Sequence, residues 1–236
     1  MRIVLLLLAF GAVELTAAPA QAQVADTTAT GDPPDLPPNT EARDVAIFRA
    51  IYEIDVPMLT GAMRAVNVTA YPVYGGIAPA LALGAALDGG DYEPAVKMAA
   101  AQGLDVAVTL AMKRLVLRPR PYAALDGVVA RDRGHMGEDI IDPYSFPSGH
   151  TSLAAASATS LSLSYPEWYV IGPAAAWVGT MGAARIWHGV HYPTDVAVGA
   201  AVGVASAVAV HLVWNALDGG PGTSGDANAV RFSIPL

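Results

Sequence analysis

Apolar and polar positions alternate in two different ways along this chain. Between Glu41 and Arg64 apolar residues recur at helical spacing, with Val45, Phe48, Ile51 and Tyr52 set among charges. That pattern predicts an amphipathic helix of the kind that lies at a membrane surface. Pro57 is expected to break or restart it. Beyond Arg64 the apolar runs become nearly continuous. Ala65–Leu87 carries no charge, although Pro72, Gly75, Gly76 and Pro79 push its helical part towards the second half. Met98–Leu117 is apolar apart from Gln102, Asp105, Lys113 and Arg114, and Thr151–Tyr165 is short and rich in Ser and Ala. Trp168–Ala184 is uncharged, and Val196–Leu217 contains only His211 as a titratable group. A bilayer span needs about 20 apolar residues, so some of these runs must tilt or use flanking residues. The expectation is an all-α helical bundle, integral to a membrane, with five or six helices.

The ends read differently. Met1-Arg2, the apolar Ile3–Val13 and the small-x-small Ala20-Gln21-Ala22 form a signal-peptide pattern over residues 1–22, and export follows from it. Residues 23–40 are polar and Pro-rich, a linker that cannot bury enough apolar surface to fold. Residues 41–217 form the helical domain, and 218–236 form a Gly-rich tail.

Composition narrows the class. Hydrophobic residues make up 53% of the 236 and charged residues 14%, with 23 Gly. Ala and Gly in uncharged runs suit close helix packing within a bilayer, and an Ala-rich soluble bundle is the alternative. A net charge of −8 argues against nucleic acid as a partner. The absence of cysteine removes disulfides, zinc thiolates and thiol nucleophiles.

Most of the chemistry gathers in three clusters, each at the end of an apolar run. The first is Lys113 followed by Arg120-Pro121, the second Pro147-Ser148-Gly149-His150, and the third Arg185, His191 and Asp195. A phosphate monoester carries nearly two negative charges, and Lys113, Arg120 and Arg185 offer fixed cations, the arginines with planar forks. Ser148 is a good N-cap, and the N–H groups of Ser148, Gly149 and His150 at a helix start would face an anion. His191 and Asp195 are one helical turn apart, so a carboxylate can fix the imidazole tautomer and leave the other nitrogen to attack phosphorus. One histidine would be nucleophile and the other acid and base.

In this order and spacing the clusters resemble the three-part signature of the type 2 phosphatidic acid phosphatase superfamily, which also holds bacterial non-specific acid phosphatases and vanadium haloperoxidases. The resemblance covers about Glu41–Leu217. It implies that Lys113, Arg120, Arg185 and the backbone of Ser148 and Gly149 bind the phosphoryl oxygens. It also implies that His191 is the nucleophile, Asp195 its orienting partner and His150 the acid, with no metal or other cofactor. Ala184 departs from the serine usual before the third-cluster arginine.

The resemblance implies a phosphorylated lipid as substrate, and the export pattern implies a bacterial inner membrane with the active site facing the periplasm. If the mature N-terminus lies outside, helix counting puts all three clusters on that same side. The opposite turn, Asp88–Glu93, is acidic against the usual Lys/Arg enrichment of cytoplasmic loops. The alternatives are therefore a soluble periplasmic acid phosphatase, a vanadate-dependent peroxidase, or a non-enzymatic membrane scaffold with a relic site. Outside the clusters, Arg118, Arg131, Arg133 and His135 read as solvated loop residues, and His188 as incidental or supporting. His211 and Asp105 read as polar contacts between helices. Tyr144, Phe146, Trp187 and Tyr192 would suit an interfacial lipid headgroup.

Overall fold

The computed structural model describes residues 38–131 and 142–218. The signal-peptide reading, nearly all of the linker and tail, Arg133 and His135 lie outside them. Among the described residues there are seven helices and no strand: α1 (Pro38–Tyr52), α2 (Pro57–Asp88), α3 (Glu93–Val116), α4 (Pro121–Ala124), α5 (Gly149–Ser164), α6 (Trp168–Trp187) and α7 (Pro193–Asp218). Three of them, Met58–Asp88, Glu93–Val116 and Pro193–Asp218, are long and apolar enough to cross a membrane. The all-α bundle expected from the apolar runs is the observed architecture.

Pro57 restarts the chain as foreseen. It sits in the first turn of α2, where a missing N–H removes no helical hydrogen bond. The rest of α2 departs from expectation, because it runs unbroken for 32 residues through Pro72 and Pro79. Those prolines are seven positions apart and share the exposed face. The residues that pack inward, Ala70, Tyr74 and Ala78, recur on the opposite side, so the proline rings meet no neighbouring helix.

At the centre α5 packs against α7, α6 and α3. Its Ala and Ser side chains are small, and α7 answers with Gly199 and Gly203. A Cβ on Gly199 would stand 2.5 Å from the Ser148 carbonyl oxygen, and one on Gly203 would meet the Ser152 carbonyl closer still. The two helices therefore touch backbone to backbone, a packing that only small residues permit. Polar groups inside the bundle find partners across it. His211 on α7 bonds Ser160 on α5 at 3.2 Å, and Asp105 on α3 accepts from Ser152 on α5.

The one-turn α4 was not foreseen, being too short to leave a periodic signal. It follows a sharp reversal in which Leu117 takes φ 53°, a left-handed conformation rare for a branched side chain and worth about 1–2 kcal/mol. That turn swings the chain from the end of α3 into extended Arg118-Pro119-Arg120.

Candidate active site

Three loops meet at one end of the bundle, where α3 ends, α5 begins and α6 gives way to α7. Each brings one cluster. Lys113 lies in the last turn of α3, Arg120 at the start of α4, Gly149 and His150 in the first turn of α5, and His191 in the loop before α7. These five side chains or backbones line a single cavity of about 560 Å³. Arg185, Ser148 and Asp195 are fully buried around it, each 0% exposed.

Every cation is braced. Lys113 Nζ donates to the Tyr144 carbonyl at 2.8 Å and pairs with the Asp142 carboxylate at 2.8 Å. Arg120 donates through Nε and Nη2 to the Asp142 carbonyl, at 3.2 and 3.0 Å. Arg185 Nη1 reaches Asn67 of α2 at 2.6 Å. Three buried cations beside the one Asp142 carboxylate that pairs with Lys113 favour an anion in the site.

His191 is held from behind. Its Nδ1 lies 2.7 Å from the Ser145 carbonyl oxygen, which can only accept, so Nδ1 carries the proton. Nε2 is then the lone-pair nitrogen, and it lies 3.4 Å from Arg120 Nη1 at the cavity. Burial holds the imidazole pKa well below the ordinary 6.5, and the charges of Arg120, Arg185 and Lys113 push the same way. The ring is neutral and nucleophilic under near-neutral conditions. His150 faces it from α5, edge-on to Tyr71 with ring centroids 5.0 Å apart, and its carbonyl accepts from the Tyr74 hydroxyl at 2.9 Å.

Two details differ from the sequence reading. The nearest Asp195 oxygen lies 3.6 Å from His191 Nδ1, and a backbone carbonyl takes the hydrogen bond assigned to that carboxylate. Asp195 instead accepts from the Tyr192 amide at 2.7 Å and from Arg118 Nη1 at 2.8 Å. It shapes the His191 loop and carries charge near the ring. The Ser148 amide donates to the Asp195 carbonyl at 2.9 Å, so it is not turned to an anion, and its hydroxyl is 3.0 Å from Thr151 Oγ1. Of the backbone donors proposed for phosphate, Gly149 lines the cavity.

Arg118 is the largest correction. Read as solvated, it is largely enclosed and paired with both Asp195 and Asp44 of α1, at 2.8 and 2.7 Å, and stacks over the Tyr192 ring at 3.8 Å. Arg131 is likewise engaged, stacked on Tyr52 and Trp187 at 4.2 and 4.3 Å. His188 is 0% exposed and bonds the Arg131 carbonyl at 3.2 Å, away from the cavity. Trp187 and Tyr192, read as lipid-facing, are buried at 4% exposure, and the aromatics on the cavity are Tyr71 and Tyr74. Asp44 had one legible sign. It stands one turn before Phe48 and two before Tyr52, an acid in register with the apolar stripe, which implies a buried cation opposite.

Residues 94–218 match the family model described as the PAP2 superfamily. Over 101 residues the chain is 42% identical to the bacitracin transport permease protein BcrC of Bacillus licheniformis, covering 41% of this chain and 43% of that one. The chain thus spans under half the length of this curated relative. Among solved structures, LpxE of Aquifex aeolicus superposes with a TM-score of 0.58 at 26% identity, over 71% of this chain and 94% of that one. A transmembrane PAP2-type phosphatidylglycerolphosphate phosphatase of Bacillus subtilis gives a TM-score of 0.60 at 21% identity, covering 78% and 90%.

Proposed function

This chain belongs to the PAP2 superfamily, and from that premise we propose that it is a membrane phosphatase that hydrolyses a lipid phosphate monoester or pyrophosphate through a phosphohistidine. The observation that carries the reading is the orientation of His191. The Ser145 carbonyl fixes the proton on Nδ1 and leaves the Nε2 lone pair beside Arg120 at the cavity.

In the first step Nε2 of His191 bonds to phosphorus, the phosphorus–oxygen bond to the lipid breaks, and His150 gives that oxygen its proton. In the second, His150 takes a proton from water, the water oxygen bonds to phosphorus, and the nitrogen–phosphorus bond breaks to release phosphate. Lys113, Arg120, Arg185 and the Gly149 amide hold the equatorial oxygens as charge builds. These cations supply what a metal ion supplies elsewhere, so turnover should survive EDTA.

A lipid substrate is supported by the wall between α2 and α3. Tyr71, Val106 and Leu110 line the cavity and are also exposed on the outside of the bundle, so the cavity reaches the apolar flank. We place the protein in a bacterial inner membrane with this site on the periplasmic side, following the export pattern of residues 1–22.

Rapid-quench kinetics on an aryl phosphate tests the two histidine roles. His191→Ala should abolish turnover and give no burst. His150→Ala should lose the roughly 10²–10⁴-fold typical of general acid catalysis on a lipid phosphate. With a nitrophenyl phosphate it should show a burst and accumulate phosphohistidine, because nitrophenolate departs without a proton. A burst from His191→Ala would reverse the assignment.

A further inference from the structure

Asp142 takes part in none of these steps, yet it touches two of the phosphate-site cations. Its Oδ2 pairs with Lys113 Nζ at 2.8 Å, its Oδ1 accepts from the Tyr144 amide at 3.0 Å, and its main-chain carbonyl receives Arg120. The side chain is 21% exposed and lines the cavity beside His150 and His191. We propose that the Asp142 carboxylate is a built-in competitor of the phosphoryl group for Lys113, and that its ion pair with Lys113 lowers the affinity for phosphate and so assists product release.

Several features separate this role from that of a simple brace. Lys113 is already oriented by the Tyr144 carbonyl at 2.8 Å, so the carboxylate is not needed to aim it. Arg120 uses only the main-chain oxygen of Asp142, which any residue supplies. The carboxylate is fixed by the Tyr144 amide in a short local turn, so it stays beside Lys113 when an anion arrives. A phosphoryl group on Lys113 would then lie against a like charge, and part of the attraction of Lys113 is already spent on Asp142. Without such a competitor the buried cations would hold inorganic phosphate, the product, more tightly.

This rests on reading the cavity as a phosphate site, and the experiment separates the two. Inhibition of aryl phosphate hydrolysis by inorganic phosphate and by vanadate would be measured on the purified full-length protein, with phosphate binding followed by calorimetry. Asp142→Asn keeps the acceptor for the Tyr144 amide and the main-chain carbonyl, and replaces the charged oxygen that pairs with Lys113 by an uncharged NH2. It should tighten phosphate and vanadate inhibition about fivefold, the scale of a partly exposed ion pair, and lower kcat more than kcat/KM. Asp142→Glu should return inhibition towards wild type. Should Asp142→Asn fold poorly, Asp142→Ser keeps a local acceptor without the charge and should tighten inhibition in the same direction. A brace would give the opposite sign, with weaker inhibition in the neutral variants, and that result, or no change, would overturn the proposal. Lys113→Ala should weaken phosphate binding. If Lys113→Ala left phosphate binding untouched, the phosphate-site reading itself would fail.

Discussion

The loop end of this bundle and its helical flanks invert the usual distribution of polarity. At the loop end Lys113, Arg120, Arg185, His191 and Asp195 are all buried. Along the flanks Leu83 and Leu87 of α2, Leu104 and Leu110 of α3, and Val204, Leu212 and Val213 of α7 are exposed. Charged side chains are rarely buried unless paired, and large apolar patches are rarely left open to water. The charged end obeys the first rule through carbonyls and carboxylates: Asp142 and Tyr144 on Lys113, Asp142 on Arg120, Asp44 and Asp195 on Arg118. The flanks satisfy the second only in hydrocarbon, where an exposed Leu costs nothing. One region is therefore organised by electrostatic compensation and the other by solvent, and each can be broken separately.

The largest effect should come at the charged end. Arg185→Lys keeps the charge and loses the planar fork, and should lower kcat/KM by about 10²–10³-fold, as when one fixed donor to a transition-state oxyanion is removed. Steady-state kinetics checks it, and a near-native kcat/KM would take Arg185 off the phosphate. Next comes the flank. Val204 lies near the middle of α7 and is exposed, so Val204→Asp should cost about 2.5–3.5 kcal/mol of membrane insertion, while Val204→Ala should cost little. The fraction of protein resistant to carbonate extraction reports this. Equal integration of both variants would mean that this face does not meet lipid.

The smallest effect is a pH dependence. The His191 pKa is depressed in the folded protein, so below about 6.5 the unfolded chain binds a proton that the folded chain refuses. Stability from this residue is complete above that pH and declines as pH falls through it. Acidification from pH 7 to pH 5 should therefore lower the Tm of wild type more than that of His191→Ala. Equal slopes would mean that the ring is not buried neutral.

What could be read from sequence, and what could not, divides along the same line. The helices, the Pro57 restart, the His211 contact and the convergence of Lys113, Arg120, Gly149, His150 and His191 on one cavity follow from side-chain identity and spacing. The bracing does not, because most of it is main chain: the carbonyls of Ser145, Tyr144 and Asp142 have no sequence signature. Arg118 was misread for a related reason. Its partners Asp44 and Asp195 are far apart in the chain, and only the folded contact between α1 and the His191 loop shows that it is paired. Pro72 and Pro79 misled because a proline is judged by the helix it sits in, and their shared outward face appears only once α2 is seen packed.

The cavity mouth between α2 and α3 would change what the word concentration means for a substrate that enters through it. If the substrate is the lipid proposed above, it passes Tyr71, Val106 and Leu110 to reach Lys113 and arrives by diffusion in two dimensions. Its supply is counted per neighbouring lipid, not per litre. Diluting the substrate with inert lipid or detergent at constant bulk amount should slow turnover, whereas diluting the whole suspension with buffer should not. Measured Michaelis constants would then be mole fractions.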